Sequence, residues 1–318
     1  MKIHTAACVL LLAGCNTRQS TLAPFGAEAR STAQLTILLW VGAAVIAVGM
    51  VVVFIMAVRA PEGRLSHAGG MRLVLWLGAI VPTVVLAMLL IWTLPAMRPL
   101  AAARTDLRIR VEGEQFWWRV RYAGASGRTL VSANEVRVPV GRTVVFELGA
   151  ADVIHSFWIP GLAGKMDMIP GRTNRLVVKA GKAGVFRGVC AEFCGLSHAL
   201  MAFDVIAMEP AAFDAWFVAA QIPPARRGGS GAALFAHNGC GACHAVGGTQ
   251  HTSRIGPDLT RFGERRTLGA GILEPGTANT AAFIRNPQAF KPGARMPAYA
   301  SLSDADAVAI AGWLREGK

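Results

Sequence analysis

Two long runs without a single charged side chain, residues 34–58 and 73–95, constrain this chain of 318 residues more than any other feature. A run of roughly 20 apolar residues is enough to cross a bilayer as a helix, and both qualify. Pro82 falls inside the second run. Neighbouring helices and local helix adjustments satisfy the carbonyl that a proline frees within a membrane, so the second helix is read through it. The short segment between the runs carries Arg59, Arg64 and Arg72 against Glu62 alone, and short basic loops stay on the cytoplasmic side. A transmembrane hairpin spanning residues 34–95 with both flanks outside follows. The composition agrees: 53% hydrophobic and 16% charged residues, while the second half reads as soluble protein. The net charge of +13 is spread thinly over the whole chain, and without a basic stripe it gives no sign of nucleic-acid binding.

The start of the chain places this hairpin in an exported protein. Lys2 precedes an apolar run over residues 6–13 that is too short to span. The run ends in Leu12-Ala13-Gly14-Cys15, which resembles the lipobox of bacterial lipoproteins. That resemblance implies a signal peptide over residues 1–14, lipidation of Cys15 and an external segment over 15–33. Beyond the hairpin, residues 96–221 alternate in short β-branched runs separated by glycine turns, such as Val136-Arg-Val-Pro-Val140 and Thr143-Val-Val-Phe-Glu-Leu148. They predict an all-β sandwich or barrel, closed by a short helix near residues 211–219. Residues 222–230, with Pro223-Pro224, Arg226-Arg227 and Gly228-Gly229, form a linker by composition. Residues 231–318 make a small domain that ends in a helix capped at Ser303.

Four of the six cysteines fall in two close pairs, and their neighbours carry the chemistry. In Cys190-Ala-Glu-Phe-Cys194-Gly-Leu-Ser-His198 the ligands recur every fourth residue, Met201 follows, and His155 closes a motif upstream. Two thiolates, two imidazoles and a thioether suit copper by softness; they contain a His₂Cys site with a weak methionine plus one further thiolate. A second bridging thiolate would let two copper ions share one electron. A Cys₂His₂ zinc site uses the same residue types, as does a disulfide in an oxidising compartment, and the ligand types leave these open. The second pair, Cys240-Gly-Ala-Cys243-His244, has the attachment pattern of c-type haem, with two thioether cysteines and an axial histidine. A bare Cys-x-x-Cys can also be a thiol redox pair. Met296, the last methionine and the only one after Met208, is the expected sixth ligand, with His251 its competitor; His237 and His251 are otherwise read as surface residues.

Three stretches, Asp152-Val-Ile-His155-Ser-Phe-Trp158, Lys165-Met-Asp-Met-Ile-Pro-Gly-Arg-Thr173 and the run from Cys190 to Met201, resemble the copper A domain of cytochrome c oxidase subunit II. With the hairpin, the resemblance covers roughly residues 30–220. It implies a cupredoxin-like, Greek-key fold and a binuclear copper centre. Cys190 and Cys194 would bridge, His155 and His198 would be terminal ligands, Met201 a weak ligand, and Glu192 a ligand through its carbonyl. The Glu192 carboxylate would approach a magnesium ion shared with subunit I. In the family an aromatic cluster before this point admits electrons; here it reads Phe116-Trp117-Trp118, with Phe116 where a tryptophan is usual. The family's acidic residue near the second membrane helix has no clear counterpart, since only Glu62 is nearby, and no role is assigned to it.

The last domain resembles class I cytochromes c, an all-α fold, through Cys240-Gly-Ala-Cys243-His244, Ile255-Gly-Pro257-Asp-Leu259 and Lys291-Pro-Gly-Ala-Arg-Met296-Pro. In that family the carbonyl of the residue matching Pro257 orients the axial histidine. A cytochrome c fused behind a copper A domain is the arrangement of caa3-type oxidases. The resemblance thus implies an electron-input subunit in the bacterial inner membrane, with both termini on the periplasmic side. Its partners would be subunits I and III, and its donor a soluble cytochrome c or a quinol–cytochrome c reductase complex. Oxygen chemistry would lie in subunit I, because after His155, His198 and His244 only His4, His67, His237 and His251 remain. A copper A subunit of a nitric oxide reductase and a membrane-bound carrier without a catalytic partner are the alternatives.

Overall fold

The computed structural model describes residues 16–61, 63–64, 66–97, 100–103, 106–123, 129–225 and 228–317. The signal segment, Cys15, Glu62 and the Arg226-Arg227 pair lie outside the described residues. The chain divides into two compact units, residues 30–100 and the remainder.

The smaller unit is helical. Helix α1 (Ala27–Arg59) extends beyond both ends of the first uncharged run, taking in Glu28 in its first turn and Arg59 in its last. These charges complement the helix dipole. Helix α2 (His67–Thr93) is also long and apolar enough to cross a membrane. It is capped by Ser66, whose hydroxyl accepts from Gly69 N at 3.1 Å. Pro82 does not break it. The turn from Trp76 to Ile80, immediately before the proline, widens to π geometry, and such a bulge relieves the clash and missing donor that a proline brings to a helix interior.

The larger unit begins with a sandwich of two five-stranded sheets. One holds β1 (Leu107–Glu114), β2 (Trp117–Ala123), β3 (Thr129–Ala133), β5 (Thr143–Ala150) and β8 (Asn174–Lys179), in the order β3-β2-β1-β5-β8. The other holds β4 (Glu135–Pro139), β6 (His155–Trp158), β7 (Met166–Met168), β9 (Gly184–Cys190) and β10 (Ala202–Met208), in the order β4-β10-β9-β6-β7. Period-two alternation sends Ile109 and Val111 of β1 into the core between outward Arg108, Arg110 and Glu112. The two inner faces meet on an aromatic cluster. Phe157 stacks on Phe203 at 4.7 Å between centroids, and Trp118 meets both edge-on at 5.8 and 5.1 Å. Each such pair adds roughly 0.5–1.5 kcal/mol beyond area burial. Gly188 makes the stacking possible, since a β-carbon there would stand 2.1 Å from the Phe203 ring. Helix α3 (Pro210–Ala220) closes the sandwich, packing Trp216, Phe217 and Ala220 against its core.

The second part of this unit is a small helical domain of α4 (Ser230–His237), α5 (Thr277–Arg285), α6 (Pro287–Phe290) and α7 (Asp304–Glu316). Helix α7 is specified locally: the Ser303 hydroxyl accepts from Asp306 N at 3.1 Å, and acidic and basic residues occupy its first and last turns. Its Ala307, Ile310, Ala311 and Leu314 form one buried stripe at helical spacing. Gly231 of α4 lets that helix approach, because a β-carbon there would meet the Ala309 carbonyl at 2.3 Å. The helical domain is tied to the sandwich by Arg261, which donates to the carbonyls of Ala219 and Ile222, both at 2.7 Å.

Candidate functional site

Three segments converge at one end of the sandwich. Strand β6 opens on His155, β9 closes on Cys190, and the loop returning to β10 carries Cys194, His198 and Met201. Main-chain bonds from Cys190 N to Met201 O (3.0 Å) and from Ala191 N to Ser156 O (2.9 Å) hold the loop ends. Cys190 Sγ lies 3.8 Å from Cys194 Sγ, 3.9 Å from His155 Nδ1 and 3.2 Å from the Glu192 carbonyl oxygen. Cys194 Sγ lies 3.7 Å from His198 Nδ1 and 3.8 Å from Met201 Sδ. A disulfide needs sulfurs ~2.05 Å apart, so the pair is two free thiols facing a common point.

The electrostatics favour a cation at that point. The hydrogen bond from Cys194 outweighs burial and lowers the Cys190 thiol, while the same contact and burial raise Cys194. Two thiolates this close need positive charge beside them. His155 is fully buried. Burial acts to lower its imidazole, but hydrogen bonds with Cys190 and Asp152 prevail and raise it. Its Nε2 lies 2.9 Å from Asp152 Oδ1, leaving Nδ1 toward the sulfurs. A carboxylate behind a ligating imidazole fixes its orientation and raises its basicity. The donor set, soft and closely spaced, fits copper and supplies more sulfur than a single His₂Cys site uses. Glu192 keeps its side chain 45% exposed, with Oε2 3.8 Å from Lys165 Nζ.

The helical domain surrounds an apolar cavity onto which Cys240, Cys243, His244, Pro257 and Met296 all open. The His244 Nδ1–H donates to the Pro257 carbonyl at 2.8 Å, which turns Nε2 toward the cavity. Burial lowers the His244 imidazole, favouring the neutral form that binds iron. Two thiols, an imidazole and a thioether around an apolar space fit a covalent haem. His251, read from sequence as a surface residue, is half-buried: its ring packs on Phe235 at 5.1 Å between centroids and abuts Gly241 in the attachment segment. It does not border the cavity.

One wall of the cavity comes from the sandwich. Glu114, Gln115, Phe116 and Trp117, at the β1–β2 turn, border it alongside Met296 and Arg295. Phe116 is only 4% exposed, lying under Gly293 and beside Gly195. Trp117 stacks beneath Arg119 at 4.8 Å, and Trp118 points into the aromatic core 6.1 Å from His155. Gln115 Nε2 donates to the Cys194 carbonyl at 2.5 Å, and Ser197 Oγ donates to the Pro292 carbonyl at 2.6 Å. These links, with Asp152 and Arg295, are residues that motif spacing did not single out. Asp152 sits inside the His155 motif and was within reach; Arg295 meets it across 143 residues of sequence.

Residues 107–208 match the family of the cytochrome c oxidase subunit II periplasmic domain, and residues 229–318 match cytochrome c. Cytochrome c oxidase subunit 2 of Alkalihalophilus pseudofirmus is 45% identical over 214 residues, 66% of this chain and 61% of that protein. Its counterpart in Bacillus subtilis is 33% identical over 253 residues, 74% of this chain and 69% of that protein. The chain belongs to the cytochrome c oxidase subunit II family. The crystallised periplasmic domain of subunit II from Bradyrhizobium japonicum shares 33% identity, covering 38% of this chain and 97% of that one, with a TM-score of 0.35. The chain thus spans 61% to 69% of the length of the two relatives named. Its two apolar helices accord with a membrane anchor. The first matched range contains the thiol pair with its histidines and methionine, and the second contains Cys240, Cys243, His244 and Met296.

Proposed function

We propose that this chain is the electron-input subunit of a caa3-type cytochrome c oxidase. It would take electrons through its own covalent haem c to a binuclear copper A centre and on to the oxygen-reducing site of subunit I in a proton-pumping complex. The observation that carries this reading is the shared wall: the β1–β2 turn borders the cavity holding Cys240, Cys243, His244 and Met296, and its Gln115 bonds the carbonyl of Cys194. Bound haem and copper would each supply a one-electron couple, and Met/His ligation would set the haem high enough to act as a respiratory donor.

The chain's own residues do the rest. Cys190, Cys194, His155, His198, Met201 and the Glu192 carbonyl would hold the copper ions. Pro257 fixes the tautomer of His244, and the buried Phe116 would help keep water from the gap between the sites. Dry, rigid surroundings keep the polar reorganisation that accompanies a change in charge small. The half-exposed Glu192 carboxylate would approach a magnesium ion shared with subunit I. We further assign subunits I and III as partners, a soluble cytochrome c or a quinol–cytochrome c reductase complex as donor, and lipidation at Cys15. The bacterial inner membrane, with both termini on the periplasmic side, is the expected location. Copper and haem analysis of the purified complex, with turnover assayed on oxygen and on nitric oxide, tests the assignment. Two coppers and one haem per chain with oxygen turnover support it; zinc in place of copper, or turnover on nitric oxide alone, refutes it.

A further inference from the structure

Asp152 accepts four hydrogen bonds: from Gln115 N at 2.8 Å, Val153 N at 2.8 Å, His155 Nε2 at 2.9 Å and Arg295 Nη2 at 3.0 Å. Its side chain is 10% exposed, whereas that of Arg295 is 65% exposed. The first three partners belong to the sandwich and hold the carboxylate in place without help. The fourth comes from the helical domain, from the residue directly before Met296. An exposed guanidinium adds little to stability in such a pair, so its consequence lies elsewhere. A carboxylate behind a ligating histidine makes the imidazole a stronger donor and favours the oxidised metal. A cation on that carboxylate's other oxygen draws charge away and weakens the effect.

We propose that Arg295 is a positioning residue for the copper site: by pairing with Asp152 it weakens the carboxylate's hold on His155, so that the copper centre accepts an electron more readily when the Met296 loop is seated. The inference rests on the copper and haem reading above. It gives the fused domain a second task beyond carrying the haem, since seating the domain also tunes the acceptor. By reciprocity, reduction of the copper seats the loop more firmly.

The test is a spectroelectrochemical titration of the full chain loaded with copper and haem, in the parent and in Arg295→Gln, Arg295→Lys, Asp152→Asn and the double variant. Arg295→Gln is expected to shift electron sharing about three- to tenfold toward the haem by lowering the copper potential, tenfold being ~59 mV for a one-electron couple. Arg295→Lys should recover most of that shift, and Arg295→Gln should add nothing in the Asp152→Asn background. A copper potential unchanged in Arg295→Gln overturns the proposal, and so does an equal shift with Asp152 already neutral, which would mark a bare through-space charge. A parent chain that shows no copper A spectrum would instead remove the underlying reading, and this inference with it.

Discussion

At the scale of single residues, close constraints sit behind two of the three proposed histidine ligands. A β-carbon at Gly113 would stand 2.8 Å from the His155 ring, and one at Gly256 would stand 2.7 Å from the His244 ring. Gly113→Ala is therefore expected to displace His155, costing about 1–3 kcal/mol as overpacking does and lowering copper retention while haem content stays unchanged. Denaturant unfolding and metal analysis check both parts. Lys291 offers a pH test. Burial pushes its ammonium from 10.5 down to about 7, so between these values the unfolded chain holds a proton that the folded chain has released. Stability should then rise with pH across that window, by at most ~1.4 kcal/mol per unit from this group, and Lys291→Met should flatten the rise in unfolding measured from pH 7 to 10. The ligand types were legible in the sequence because Cys190, Cys194 and His198 follow one another in a single loop. Their supports were not, because Gly113, Gln115 and Arg295 reach the site only through strand pairing and domain packing.

At the scale of elements, the sequence carried most of the pattern. The strands around Val136, Thr143, Leu176 and Phe203, and the helix capped by Ser303, stand where alternation and capping placed them. The π turn before Pro82 was not legible, since it is a local response to a proline that an uncharged run does not announce. Nor was the Arg119 clamp. Its guanidinium is nearly buried, pairs with Glu114, and donates to the Arg254 carbonyl at 2.6 Å, joining β2 to the helical domain. Removing one partner of a buried pair costs roughly 3–5 kcal/mol. Arg119→Ala should lower unfolding stability by that order and speed amide exchange across residues 254–256, with little change for the equivalent truncation of exposed Arg172.

At the scale of the molecule, the helical domain covers the β1–β2 turn that carries Phe116. Phe116, already buried beneath Gly293, is not presented to solvent. Phe116→Trp should accordingly leave turnover with the native donor within about twofold of the parent; a gain of the order of tenfold (~1.4 kcal/mol in the barrier) would mean that Phe116 itself limits electron flow. The sequence showed that a haem domain and a copper domain share one chain, but not that they share a wall. That fact depends on bonds such as Ser197 to Pro292 and Arg295 to Asp152, whose partners lie 95 and 143 residues apart. The most direct measurement is rapid mixing of the loaded protein with less than one equivalent of reductant, following the haem band and the near-infrared copper band together. The haem should reduce first and pass its electron to copper at a rate independent of protein concentration. Copper reduction with the haem still oxidised, or a rate that scales with concentration, would contradict a haem-to-copper relay within one chain.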